Sequence, residues 1–185
     1  MDADNFAPST QPVVIVLASG RGERFIASGG RTHKLRALLA GKPVLEHTLD
    51  AVRASGLPWH LEDAGHPGMG DSIAAAVRAT AAAPGWLILP GDLPLVSPDT
   101  LRQVAAALAT AAVVVPLFRG ERGHPVGFER RCGLALAALQ GDKGAAAVVR
   151  AHPVLALETH DIGCITDVDT LEALQAAERL LATRH

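Results

Sequence analysis

Two apolar runs break without transition into loops rich in glycine and charge. VVIVLA at 13–18 leads into SGRGERF, and WLIL at 86–89 leads into PGDLPLV. A strand with one wet face alternates apolar and polar residues, whereas an unbroken apolar run is covered on both faces. Both runs therefore predict inner strands of a sheet held between layers of helix. Helical stripes follow each of them. PVLEHTLDAVRAS (43–55) is apolar at Val44, Leu45, Leu49 and Val52 and opens with proline. DSIAAAVRATAAA (71–83) offers Asp71 as an N-cap, and SPDTLRQVAAALA (97–109) begins with a cap, a proline and two polar acceptors.

Further strands are expected at 57–62, at 111–118 with Pro116 directing its end to an edge or bulge, and at 153–158. HPVGF (124–128) suits an antiparallel partner across the charged turn RGERG. Short helices at 133–139 and 143–150 and a last helix at 171–182 complete the pattern. Strand–helix alternation implies an α/β fold with a mostly parallel sheet and helices on both faces. Ligands of such sheets bind outside the carboxyl ends of the strands, where both glycine loops fall. The 185 residues suit a single domain, 1–185, with residues 1–11 as a flexible tail.

Composition removes several classes of function. A net charge of −2 argues against a nucleic-acid partner, and four Phe, two Trp and no Tyr leave little for stacking bases. No apolar run approaches the ~20 residues that cross a bilayer, and the acidic start MDADNFAPSTQP is unlike a signal peptide, so a cytoplasmic protein is expected. Cys132 and Cys164 stand far apart and read as reduced core thiols.

An anion that lands on the first loop must be held locally. Gly20 and Gly22 allow close backbone approach, Arg21 and Arg24 suit phosphate oxygens, and Lys34 in THKLRALL adds a point charge. The loop is no Walker motif, since no GK[ST] follows, and Phe25 stands where the dinucleotide fingerprint needs its third glycine. A plain strand-to-helix turn is the competing reading.

Asp92 directly follows a buried strand and faces the ligand crevice, or else serves as an Asx-turn residue. Asp167 and Asp169 share a face if their segment is extended, and Asp169 with Glu172 three later also fits a helix cap. Asp92 and a late acid, converging near phosphate-binding donors, suit Mg²⁺, which takes few carboxylates beside phosphate oxygens and water. His33, His47, His60, His66, His152 and His160 show no ligand spacing, while His124, beside Arg122, can reach an anionic acceptor. Ser19 lacks the G-x-S-x-G elbow of a nucleophile. A phosphomonoester acceptor, with its second pKa near about 6, would need no general base.

Seven short motifs stand in one order: LASGRGERF, KLRALLAGKPVLEHTL, GMGDSIAAAV, LPGDLPLV, RGHPVGF, GDKGAA and DVDTLEAL. In this order the chain resembles the MobA-like NTP transferase family over nearly its whole length, and most of all its molybdenum cofactor cytidylyltransferase branch. The resemblance implies a three-layer, Rossmann-like fold of GT-A type and transfer of a nucleoside monophosphate from an NTP to a phosphorylated acceptor, with release of pyrophosphate.

By the same resemblance Leu17, Ala18, Ser19, Gly20, Arg21 and Gly22 bind the nucleotide, together with Lys34, Gly68, Ser72 and Gly91. Arg24 and Lys34 act on the triphosphate as catalytic cations. Gly68 and Ser72 belong to the base or ribose side, and Gly91 precedes the metal-binding acid. Asp92, also catalytic, and Asp169 would hold Mg²⁺, and His124 would bind the acceptor. Ser19, the two late acids and the full G-H-P favour CTP over GTP, and molybdopterin is the implied acceptor, with a molybdoenzyme as client. Three departures stand out. IASGGRTH lengthens the gap before Lys34, which makes Arg31 a rival for its role; Leu171 replaces a proline; and 59–67 is short around the base side. Alternatives are guanylyl transfer, another phosphorylated acceptor, a glycosyl transfer through Asp167-Val168-Asp169, or a cofactor-binding chaperone without catalysis.

Overall fold

The computed structural model describes residues 10–20 and 22–183. Residues 1–9, most of the expected tail, lie outside the described residues, as do Arg21 and residues 184–185. After β1 (Val13–Leu17) come a short helix α1 (Glu23–Ala27), a 3-10 turn at Lys34–Arg36 and a small hairpin of β2 (Leu38–Leu39) and β3 (Lys42–Pro43). Helix α2 (Val44–Ser55), β4 (Trp59–Glu62), α3 (Met69–Ala79), β5 (Gly85–Pro90) and α4 (Pro98–Ala107) follow. The second half holds β6 (Val113–Phe118), β7 (Glu121–Arg122), β8 (Val126–Glu129), α5 (Gly133–Ala137), α6 (Ala146–Arg150), β9 (Val154–Glu158) and α7 (Leu171–Ala182).

The main sheet runs β4-β1-β5-β8-β6, with β7 and β9 also bonded to β6. β4, β1 and β5 are mutually parallel, β8 is antiparallel to both β5 and β6, and β9 is parallel to β6. The expected mostly parallel sheet is therefore present, with β7 and β8 reversed. Side chains of β1 alternate between two cores, as a pleated strand requires. Val13 and Ile15 join Ile73, Trp86, Phe128 and Leu136 on the α3, α5 and α6 side. Val14 and Val16 join Leu49, Val52, Leu101 and Val104 on the α2 and α4 side. Each such buried side chain is worth about 1.5–3 kcal/mol, so an all-apolar β1 is what this two-sided burial demands. A third cluster, with Phe25, Leu35, Leu39, Val168 and Ala177, lies where α1, the 3-10 turn and α7 meet.

Three local expectations need correction. Asp71 is not the cap of α3: the helix starts two residues earlier, after Gly68, and the Asp71 carboxylate accepts from the Gly141 N–H at 3.0 Å. A long-range contact sets this start, since the Gly70 N–H also donates to the Gly141 carbonyl at 2.7 Å. Asp169 is not the cap of α7 either; Thr170 holds that place, its Oγ1 accepting from the Ala173 N–H at 3.1 Å. The Asp169 carboxylate is thereby left to other partners. Pro116 lies mid-strand, where β8 has ended at Val114 and β7 begins at Leu117. Its carbonyl accepts from the Gly123 N–H on that side at 2.8 Å, so the N–H that proline lacks is missing from the gap and not from the ladder with β9. Among the described residues no helix is long and apolar enough to cross a membrane.

Candidate functional site

The end of β1 is stitched to its neighbour before the glycine loop departs. The Glu62 carbonyl, at the end of β4, accepts from the Ala18 N–H at 2.9 Å and from the Ser19 hydroxyl at 3.0 Å. Gly22 then turns the chain with a φ of 66°, a left-handed value that glycine adopts without strain, and caps α1. His33 draws the lysine-bearing turn up to this loop. Its Nε2 donates to the Gly20 carbonyl at 2.5 Å and its Nδ1 accepts from the Leu35 N–H at 3.3 Å. One neutral tautomer satisfies both bonds.

At the neighbouring strand end, the Gly91 N–H donates to the Leu17 carbonyl at 2.9 Å and Asp92 follows, 8% exposed. The backbone carbonyl of Asp92 accepts from the Val168 N–H at 2.9 Å, which brings the late acidic segment alongside. Lys34 Nζ reaches Asp92 Oδ2 and, at 2.5 Å, Asp169 Oδ1. Arg24, mostly exposed, pairs with Asp169 Oδ2 at 2.8 Å. Asp92, Asp167 and Asp169 each offer an oxygen within 4.8 Å of the others.

Charge is tightly coupled here. Burial alone would lower the Lys34 pKa, but the charge of Asp92, the hydrogen bonds to Asp169 and Asp92 and the charge of Asp169 outweigh it and hold the ammonium above the ordinary lysine value. The Asp167 carboxyl is raised by burial first, and then by the charges of Asp169 and Asp92. Among the described residues Asp92 Oδ1 is buried without a hydrogen-bond partner. A buried, unpartnered carboxylate oxygen is costly, and a cation coordinated there would satisfy it. Among the described residues three carboxylates against two side-chain cations leave a hard-oxygen set with spare negative charge, which suits Mg²⁺ or Mn²⁺.

Arg24, Lys34, Asp92 and Asp169 form one end of a cleft of about 500 Å³. Leu17, Ser19, Gly20 and Gly22 line its middle, and Gly68 and Ser72 its far end. The far end owes its shape to a close approach. A Cβ on Gly68 would lie 2.4 Å from the Gly141 carbonyl carbon, so only glycine lets the 140–142 loop pack against the start of α3.

A model of the MobA-like NTP transferase domain matches residues 49–157. The chain belongs to the MobA-like NTP transferase family. It is 33% identical over 192 aligned positions to 2-C-methyl-D-erythritol 4-phosphate cytidylyltransferase of Cereibacter sphaeroides, covering 86% of this chain and 82% of that protein. The crystal structure of Rv0371c from Mycobacterium tuberculosis H37Rv superposes with a TM-score of 0.75 at 27% identity, over 92% of this chain and 98% of that one. A manganese complex of the same mycobacterial protein superposes at 0.70 with 25% identity, over 92% and 99% of the two chains. A nucleotidyl transferase from Methanothermobacter thermautotrophicus shares the fold, with a TM-score of 0.80 at 20% identity over 96% of this chain and all of that one. The fold is thus the Rossmann-like, GT-A type of the nucleotidyltransferases.

The structure gathers most of the residues singled out in the sequence. Leu17, Ser19, Gly20, Gly22, Gly68 and Ser72 wall the cleft with Arg24, Lys34, Asp92 and Asp169. Ala18 and Gly91 stand behind that wall. Ala18 packs toward the third core, and Gly91 is held against Leu17 and Leu45. Ser72 Oγ is already engaged, donating to the Gly68 carbonyl at 3.2 Å. Arg31 is exposed, whereas Lys34 sits at the centre of the charge cluster, so the longer gap does not displace the lysine. His124 is not part of the cleft wall. It is half-buried, with a buried Nδ1 that has no partner among the described residues, and burial lowers its pKa against the upward pulls of the Ile88 carbonyl and the Asp92 charge. Arg21 lies outside the described residues.

Sequence reasoning missed four contributors. His33 and His66 looked scattered, Glu62 carried no motif, and Asp142 stood in GDKGAA without an assigned role, yet His66 and Asp142 line the far end of the cleft. The one available signal was that Asp142 follows the glycine of GDKGAA.

Proposed function

We propose that this chain is a single Mg²⁺-dependent nucleotidyltransferase domain that transfers CMP from CTP to the terminal phosphate of a molybdopterin-type acceptor, releasing pyrophosphate. The observation that carries the reading is the convergence of Arg24, Lys34, Asp92 and Asp169, from four separate segments, beside a glycine loop at the carboxyl ends of β1 and β5. In this reading Leu17–Gly22 hold the nucleotide through the backbone. Asp92 and Asp169 hold the divalent ion, with Asp167 close enough to join them. Manganese in the mycobacterial relative supports a divalent-metal site.

Asp92 and Asp169 would hold a divalent ion, which would supply positive charge to offset that of the triphosphate and the leaving pyrophosphate. Lys34 exchanges its carboxylate partners for phosphate oxygens as the nucleotide enters, and Arg24, free to swing at the surface, clamps the same group. An acceptor phosphate, largely dianionic at neutral pH, supplies the attacking oxygen. The new bond forms to the α-phosphorus while the bond to the β-phosphate bridging oxygen breaks, and that oxygen leaves with the electron pair. No residue has to abstract a proton.

A second reading follows from the Cereibacter relative, whose name specifies a sugar-alcohol phosphate as acceptor. Purified protein would be given CTP and Mg²⁺ with either molybdopterin or 2-C-methyl-D-erythritol 4-phosphate, and pyrophosphate measured. Release only with molybdopterin supports the first reading, and release only with the polyol phosphate the second. Tight molybdopterin binding with no nucleotide binding in calorimetry would replace both with a cofactor chaperone. No release from any NTP with either acceptor would overturn the reading.

A further inference from the structure

The cleft has one end where Arg24, Lys34, Asp92 and Asp169 gather and another where His66, Gly68, Ser72 and Asp142 do. If the triphosphate lies along the cations and the glycine loop, as proposed above, the base lies at the far end by exclusion, between His66 and Ser72. His66 is the ring in that stretch with hydrogen-bonding capacity, and its partner is unusual. Its Nε2 lies 3.1 Å from Glu62 Oε1, and Glu62 is only 6% exposed.

Glu62 is itself fixed from several sides. Its Oε1 also accepts from the Ala64 N–H at 3.1 Å, its backbone carbonyl takes the two donors from Ala18 and Ser19, and His60 Nε2 stands 3.6 Å from Oε2. A buried carboxylate pinned to the end of β4 thus orients an imidazole that faces the cleft. Serving the turn alone would need only the Ala64 bond.

An ionised carboxylate only accepts hydrogen bonds, so the bond to Glu62 places the His66 proton on Nε2. In the neutral ring Nδ1 is then an acceptor. An acceptor fixed in place pairs with an amino group and repels a carbonyl. Cytosine carries an amino group at the position where uracil carries a carbonyl oxygen. We propose that the Glu62–His66 pair selects the base, favouring an amino-bearing pyrimidine nucleotide over its carbonyl counterpart. The short 59–67 connection carries this pair in place of a longer base-side segment.

The inference rests on the nucleotidyltransferase reading and is tested by binding ratios that need no acceptor. Calorimetric titration with CTP and UTP at pH 8 and saturating Mg²⁺ compares wild type with His66→Ala, His66→Asn and His66→Gln. Wild type should prefer CTP, and His66→Ala should lose roughly tenfold of that preference, about one hydrogen bond's worth. Asn places its amide oxygen near the Nδ1 position and should retain preference, whereas Gln, which reaches only the Nε2 position, should not. A ratio compares two ligands on one preparation, so partial unfolding leaves it unmoved, and a merely structural His66 would weaken both nucleotides alike. An unchanged ratio in His66→Ala, or no CTP preference in wild type, overturns the selection by His66 while leaving nucleotide binding intact. Failure of wild type to bind CTP, UTP or GTP overturns the nucleotidyltransferase reading itself, and this inference with it.

Discussion

Replacing Lys34 with Met removes one positive charge from the acid cluster while keeping the length of the side chain. The ammonium touches Asp92 and Asp169, and the three side chains are 15%, 11% and 20% exposed. Breaking one side of a fully buried ion pair costs about 3–5 kcal/mol, and of an exposed pair about 0–1 kcal/mol. At these exposures Lys34→Met should cost about 2–3 kcal/mol at pH 8, lowering the melting temperature by about 4–12 °C.

The cost should have a specific remedy. With Lys34 gone, three carboxylates within 4.8 Å face each other with Arg24 as their remaining salt-bridge partner among the described residues, so a divalent ion has no ammonium to displace. Mn²⁺ should therefore raise the melting temperature of Lys34→Met more than that of wild type, and bind the variant more tightly in the absence of nucleotide. Transfer activity should nonetheless fall, since the triphosphate has lost a cation. Acid should also narrow the deficit, because Asp167 already has a raised pKa and takes up a proton early as pH falls. In wild type the raised Lys34 pKa runs the other way: its stabilisation is complete below the ordinary lysine value of about 10.4 and is lost above it. Scanning fluorimetry in EDTA and in Mn²⁺, with metal titration by calorimetry, reads all of this. A variant that melts with wild type in EDTA, or gains no more from Mn²⁺ than wild type does, would refute Lys34 as the cluster's counter-ion.

Three further outcomes are expected. Gly68→Ala should push the 140–142 loop away, because its Cβ would meet backbone at 2.4 Å; the stability cost is about 1–3 kcal/mol, with a larger loss of nucleotide affinity seen by titration. His124, its pKa lowered chiefly by burial, makes the unfolded chain the better proton acceptor, so stability should decline as pH falls below about 6.5. His124→Gln should flatten that decline in melts between pH 5 and 7.5, and an unaltered slope would assign it to other groups. Burial, followed by the charge of Asp161, pushes the Cys164 thiol up to about 11, so aromatic disulfide reagents at pH 8 should label it only after guanidinium unfolding.

The inner strands were legible because two-sided burial leaves nothing but apolar residues in β1 and β5. The last helix was legible to the residue, 171–182, because its stripe begins at a clear polar boundary. Where tertiary contacts decide, local pattern misleads. Asp71 looks like a cap, but the loop at Gly141 claims its carboxylate and starts the helix earlier. Asp169 fits the same rule, but Thr170 performs it and leaves the acid to Lys34 and Arg24. The cation–acid convergence was foreseen from strand ends and resemblance, whereas its Lys34 bridge spans 135 residues and no window of sequence contains it. Glu62 and His66 went unread for a different reason: an i,i+4 pair signals contact on a helix, and these two lie at a strand end and in a loop.

The bond from the Val168 N–H to the Asp92 carbonyl, and that from the Leu171 N–H to Ser28 Oγ at 3.0 Å, bear on how the protein is made. Synthesis delivers the sheet's central strands and the glycine turn long before the acid that must meet Lys34. On the ribosome the nascent chain can already pair β1 with β5 before that acid is made. On the proposed reading the ion-holding set is complete only with the closing stretch, so a message truncated before residue 169 should yield a product without transfer activity.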